Sequence, residues 1–171
     1  MTSGIKIEIR AARPDDALAL VAVYGPYVLS SPATFEIETP SVEDFASRIE
    51  TTSADYPYLL AEIEGRVVGY AYGCQHRARA AYRFSVETSV YLADDCRGHG
   101  IGRALYERLF EELTDSPYQQ AYAGVTLPNE ASVALHHKLG FQTIGVFPKI
   151  GFKFDTWHDV GWYHRPVRLG G

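Results

Sequence analysis

Apolar and polar residues change their spacing several times along this chain, and each change marks a new element. Ile5 to Arg10 alternates apolar and polar positions with the period of a half-buried strand. Arg13-Pro14-Asp15-Asp16 then supplies a helix start, with proline near the first turn and acids that complement the dipole, so Ala17 to Leu29 is predicted helical. Pro32-Ala33-Thr34-Phe35 is a loop, and Ser41-x-x-Asp44 opens a second helix carrying Val42, Phe45 and Ile49. Tyr58 to Glu64 and Arg66 to Cys74 predict two strands hinged at Glu64-Gly65, a hairpin signal, with the polar segment Gln75 to Arg83 after them.

Phe84 to Ala93 predicts a strand with Val86, Thr88, Val90 and Leu92 on one face and Ser85, Glu87, Ser89 and Tyr91 on the other. Ile101 to Leu113 places Ile101, Ala104, Leu105, Leu109 and Leu113 at helical spacing. Gln119 to Leu127 reads as a strand, and Asn129-Glu130-Ala131-Ser132 caps a shorter helix that ends at Gly140. The aromatic-rich stretch Phe141 to Val167 is strand-like, broken by Pro148 and Gly151. Hairpins come early and helix crossovers late, so the pattern predicts an α/β fold with a mixed sheet.

Between the strand ending near Ala93 and the helix beginning near Ala104 lies Arg97-Gly98-His99-Gly100-Ile101-Gly102. Glycines at alternate positions let the backbone turn tightly and bring its N–H groups close to an anion, in front of a helix N-terminus. Arg97 and Arg103 can add charge-assisted hydrogen bonds. A pyrophosphate is the ligand this suits, with a plain glycine-rich turn and solvated arginines as the alternative; the dinucleotide fingerprint and the P-loop both fail, because Arg103 stands where the first wants glycine and Gly-Lys-Ser/Thr is absent.

Composition narrows the field. The 171 residues, 46% of them hydrophobic, suit one domain spanning 1–171 with a real core. A formal charge of -5 argues against nucleic acid as partner. Two cysteines, Cys74 and Cys96, and no apolar targeting or membrane-length run lead us to expect a soluble cytoplasmic protein that binds no membrane. The histidines show no metal spacing, so no metal is expected.

Arg97, Gly100 and Gly102 between a strand and a helix resemble the Arg-x-x-Gly-x-Gly signature of the GCN5-related N-acetyltransferases, the GNAT superfamily. Asn129-x-x-Ser132-x-x-x-His136-x-x-x-Gly140-Phe141 resembles the second half of that signature. Much of the superfamily has Tyr where His136 stands. Together with Ala33-Thr34-Phe35-Glu36, Arg77-x-Arg79-x-x-Tyr82 running on to Glu87, and Gly151-Phe152-Lys153-x-x-x-Trp157-His158-Asp159, the chain resembles the phosphinothricin and methionine sulfoximine N-acetyltransferases.

The resemblance implies a mostly antiparallel sheet splayed between its central strands and flanked by helices. It also implies acetyl-CoA as cosubstrate, a small amino acid as acceptor and a homodimer. Glu87 aligns with the family's proposed base, and His136 with a residue that assists proton transfer; a solvent-facing glutamate and a structural histidine are the plain alternatives. The backbone of Val90, Tyr91 and Leu92 would pair with the pantetheine arm, with one N–H polarising the thioester carbonyl. Gly98, His99, Gly100, Ile101, Gly102 and Arg103, with Arg97, would cradle the pyrophosphate, and Asn129 and Ser132 would touch the CoA arm unless Asn129 serves only as helix cap. Phe35, Arg77, Arg79 and Tyr82 would hold an anionic amino acid. Tyr106 faces either that pocket or the core. Two other readings stay open: the same fold acting on a polyamine, aminoglycoside or protein N-terminus, and a non-catalytic acyl-CoA sensor.

Overall fold

The structure, a computed structural model, describes residues 6–169. Strand β1 is Ile7–Ala11; Ile5, the first residue of the predicted strand, lies outside the described residues. Helix α1, Ala17–Ser30, follows a 3-10 turn at Pro14–Asp16, and α2, Val42–Ser53, is capped by Ser41, whose side chain accepts the Asp44 N–H at 3.0 Å. β2, Tyr58–Ile63, and β3, Arg66–Gln75, form the expected hairpin, with Glu64 and Gly65 both in left-handed conformation at φ 50 and 78°. β4 is Ser85–Leu92, α3 Ile101–Thr114, β5 Gln120–Leu127 and α4 Glu130–Lys138.

The aromatic C-terminal stretch is one long hairpin of β6, Gln142–Lys153, and β7, Thr156–Pro166. Pro148 and Gly151 do not end the strand. They bracket an irregularity in the register between Phe147 and Gly151, where Lys149 takes φ 50°, and pairing resumes at Gly151–His158.

All seven strands form one sheet in the order β1-β2-β3-β4-β5-β7-β6. Every neighbouring pair is antiparallel except β4 with β5. That parallel pair is short: it runs Ser85–Gln120, Val86–Ala121 and Glu87–Tyr122, then stops while both strands continue. The sheet therefore splays open beyond Glu87.

Each face of the sheet carries its own core. Leu59, Val68, Val86, Ala121, Ala123 and Val125 pack with Leu105, Tyr106, Leu109 and Leu113 of α3. On the other face Leu60, Tyr58 and Tyr70 pack with Leu20, Tyr24 and Val28 of α1 and with Phe45 and Ile49 of α2. β4 contributes to both, because successive side chains point to opposite faces: Val90 and Leu92 join the α3 core, Tyr91 the α1 core. Among the described residues no helix is long and apolar enough to cross a membrane.

Candidate active site

The point where the β4–β5 ladder stops organises the site. Beyond it, alternate backbone groups of β4 have no strand to pair with. Gln119 and Gln120 donate to Phe84 O on the β5 side, so by alternation Thr88, Val90 and Leu92 turn their N–H and C=O into the splay. At Leu92 both groups are already engaged: its carbonyl accepts from the Tyr27 hydroxyl at 2.7 Å and its N–H donates to the same oxygen at 3.2 Å. Val90 is the strand residue whose outward groups lack such a partner among the described residues. Tyr91 instead pairs inward with Tyr70, its ring lying edge-on to Tyr24 and Tyr27.

The chain leaves β4 through a 3-10 turn at Asp94–Cys96 and enters the glycine loop. Gly98 and Gly100 both take φ 80°, with open space where a side chain would begin. Among the described residues no backbone acceptor meets the N–H groups of Gly98, His99, Gly100, Ile101, Gly102 or Arg103, and the α3 ladder starts with Ala104 donating to Gly100. Free amides, absent side chains and a helix N-terminus together fit a pyrophosphate. Gly102 answers a different need, since a side chain there would press on Leu92 at 3.4 Å and Leu135 at 3.3 Å. Arg97 pairs with Asp94 at 2.7 Å and stacks over Tyr27, and Arg103 pairs with Glu107 at 2.7 Å. Exposed pairs of this kind are weak and leave both guanidiniums open to a stronger anion.

Glu87 is the last β4 residue in register with β5, on the face shared with α1 and α2, and its side chain is 30% exposed. Its Oε2 lies 3.1 Å from Nδ1 of His76, the residue just past β3. The sequence gives no sign of this pair. It follows from register: Cys74 stands opposite Glu87, so the residue two further along is the diagonal neighbour on the same face. His76 stacks on Tyr122 at 4.9 Å and meets Trp162 and Tyr82 edge-on at 6.0 Å each. Trp162 touches Phe147 in turn, and its indole N–H is the one buried side-chain polar atom without a partner among the described residues.

The predicted substrate residues lie in two places, the turn beside this wall and the loop after α1. Tyr82 sits in a 3-10 turn, Ala80–Tyr82, beside His76, with the Arg77 guanidinium 5.8 Å over its ring. Arg79 caps that turn and is exposed. Phe35 arrives from the loop after α1, 39% exposed, on bare Gly151, where any side chain would collide with its ring. That loop is held firmly: buried Lys153 donates to Ser31 O at 2.8 Å and Thr34 O at 2.9 Å, while Glu36 takes the Tyr24 hydroxyl and both terminal nitrogens of Arg48.

His136 lies elsewhere. It is 3% exposed, behind the sheet among Tyr106, Phe141 and Tyr163. Nδ1 donates to Ser132 O at 2.7 Å, which leaves Nε2 to accept from the Tyr106 hydroxyl at 3.2 Å. Burial holds its pKa below the ordinary histidine value, and burial raises Tyr106 well above the ordinary phenol. His136 therefore has no direct path to the splay; Tyr106, which packs in the core, stands between them, with Thr88 as its other polar neighbour. Asn129 caps α4, its Oδ1 accepting the Ser132 N–H at 3.2 Å. It also borders a shallow groove of about 420 Å3 with Leu127, Pro128, Glu130, Val133, Ala134 and His137, beyond the end of β5 and away from Glu87.

His158 and Asp159, adjacent in sequence, point apart: His158 bonds Lys153 O at 2.9 Å and Asp159 the Lys149 N–H at 2.7 Å. Burial raises both thiols, Cys74 to about 12, so neither is an activated nucleophile. No three His, Cys, Asp or Glu side chains cluster as metal ligands among the described residues.

The model of the acetyltransferase (GNAT) domain matches residues 9–162. A phosphinothricin N-acetyltransferase of Alcaligenes faecalis is 39% identical over 95% of this chain and 83% of its own. An L-methionine sulfoximine/L-methionine sulfone acetyltransferase of Salmonella typhimurium is 34% identical over 89% of this chain and 90% of its own. Among solved structures, a phosphinothricin acetyltransferase of Sinorhizobium meliloti in complex with AcCoA superposes with a TM-score of 0.90 at 38% identity, covering 94% of this chain and 88% of that one. The open strand edge and the glycine loop thus belong to a known architecture, and the chain is an acetyltransferase of the GNAT family, in the branch of the phosphinothricin and methionine sulfoximine N-acetyltransferases.

Proposed function

We propose that this protein transfers an acetyl group from acetyl-CoA to the α-amino group of a small amino-acid analogue such as L-phosphinothricin, L-methionine sulfoximine or L-methionine sulfone, both substrates being bound at once. The observation that carries this reading is the position of Glu87: a partly exposed carboxylate at the root of the splay, on the same strand as the Val90 backbone, which is unpaired among the described residues and leads to the glycine loop. A bound acetyl-CoA supplies the activated acyl group. The loop amides from Gly98 to Arg103 hold its pyrophosphate, the outward groups of Val90 pair with the arm, and a β4 N–H faces the oxygen on which charge develops. Asn129 and Ser132 border the arm from the β5 side. For Leu92 to join the pairing, the Tyr27 hydroxyl must give up its bonds there.

An α-ammonium must lose a proton before it can attack, and Glu87 is the base. Arg77, Arg79 and Tyr82 on one side and Phe35 on the other bind the amino acid's carboxylate and its second polar group. Holding amine and thioester together supplies much of the rate. His136 assists through the Tyr106 hydroxyl, which it accepts from, as a proton-holding group behind β4. The same guanidiniums disfavour cationic acceptors such as polyamines. The exposed apolar side chains of the β6–β7 hairpin, including Ile144, Val146, Phe152 and Trp157 beside the edge strand, form the contact of a homodimer.

The test is thiol release from acetyl-CoA with purified protein across L-phosphinothricin, L-methionine sulfoximine, L-methionine sulfone, spermidine, an aminoglycoside and a peptide. Turnover confined to the amino-acid analogues is expected. Turnover with the cations alone overturns the acceptor, and CoA binding without turnover on any compound overturns the enzyme.

A further inference from the structure

His76 does more than fill space. A packed histidine needs only apolar neighbours, yet this ring is clamped by three aromatic rings from three separate segments, Tyr122 of β5, Trp162 of β7 and Tyr82 of the 3-10 turn. The clamp aims Nδ1 at one carboxylate oxygen, Glu87 Oε2 at 3.1 Å, and no other side chain bonds Glu87 among the described residues. A carboxylate accepts only, so Nδ1 carries the hydrogen and the tautomer is fixed. The other oxygen, Oε1, has no side-chain partner among the described residues. Tyr122, on which the imidazole lies, is the residue in register with Glu87 where the ladder ends. A histidine just past β3 thus rests on a β5 ring and fixes a β4 carboxylate at the root of the splay.

We propose that His76 is the positioning residue of the base: by holding Oε2 it turns Oε1 toward the amine. The inference rests on the reading of Glu87 as base. In the step concerned, the N–H bond of the α-ammonium breaks and an O–H bond forms at Oε1, while Oε2 keeps accepting from Nδ1–H. The freed nitrogen lone pair forms the N–C bond, the C–S bond breaks and CoA leaves as the thiolate, which takes up the second proton lost from that nitrogen; the proton on Oε1 later leaves for water.

Three substitutions separate this role from simple packing. His76→Phe keeps the stack and removes the donor. His76→Asn puts an amide donor close to where Nδ1 was, and His76→Gln puts one a bond further out. With an amino-acid acceptor, His76→Phe and His76→Gln should each lower kcat about 10- to 100-fold, the usual cost of a misplaced catalytic group, with KM for acetyl-CoA within about twofold of wild type. His76→Asn should recover most of kcat despite losing the ring. In a Glu87→Gln background His76→Phe should add less than about threefold, because the two act as one unit. Wild-type kcat in His76→Phe, equal losses in the Asn and Gln variants, or an undiminished loss in the Glu87→Gln background would each overturn the proposal. Glu87→Gln alone reports separately on the base: full activity there removes the reading on which this one rests.

Discussion

Two histidines stand on opposite faces of the same central strand, and their surroundings differ in kind. His76 lies on the α1 and α2 side, in an aromatic wall that stays partly open, with one nitrogen on a partly exposed carboxylate. His136 lies on the α3 side, closed off, with both nitrogens satisfied by a carbonyl and a phenol. The first environment leaves an acceptor atom free for a substrate. The second completes its own hydrogen bonds, so the assistance we propose for it runs through Tyr106. Chemistry in this molecule is therefore expected to be sensitive to changes on the open face and stability to changes on the closed one.

Glu87→Gln should break the open face most severely. Removing a general base costs on the order of 10²- to 10⁴-fold in kcat, with acetyl-CoA affinity and the unfolding midpoint close to wild type. Steady-state kinetics beside a denaturation curve check this. Arg79→Ala comes next: loss of a charge-assisted contact worth about 1.5–3 kcal/mol raises KM for the amino acid roughly tenfold or more, and leaves KM for acetyl-CoA unchanged. Equal shifts for both substrates would remove Arg79 from the acceptor site.

The closed face should answer in the opposite way. Tyr106→Phe strands a buried acceptor on His136 and is expected to destabilise the fold by about 1–3 kcal/mol, read as a lower denaturant midpoint, while kcat falls less than in Glu87→Gln. The smallest effect is in pH. Burial lowers the pKa of folded His136, so as pH falls below about 6.5 the unfolded chain takes up a proton that the folded chain refuses. Stability from this group is complete above that pH and declines as pH falls toward the folded value. Urea midpoints from pH 8 to pH 5, compared with His136→Gln, should show a shallower decline in the variant.

Much of the fold that holds the two histidines is legible in the sequence, and the omissions have physical causes. Period-2 and period-3.6 patterns mark the elements from β1 to α4 because most bury one face, and Ser41, Asn129 and the Glu64-Gly65 turn carry their own local chemistry. The closing hairpin is hidden because its turn uses Phe154 and Asp155 at φ 54 and 53°, a conformation in which propensity does not lead one to expect phenylalanine. The glycine loop and Glu87 stand out through residue type and position. His76 does not, since its role depends on the register between β3 and β4, set across an irregular segment that carries no pattern. His136 is visible by motif, yet its enclosure comes from Tyr163 and Phe141, which reach it only in the folded chain.

Direct acetyl transfer to an α-nitrogen on the open face is the reaction proposed for these residues. It is tested most directly by incubating the protein with acetyl-CoA and the fastest amino-acid acceptor and locating the acetyl group in the product by NMR. Acetyl is expected on the α-nitrogen, in amounts equal to the thiol released and dependent on Glu87. Acetyl on another atom of the acceptor, or accumulating on the protein itself, would contradict it.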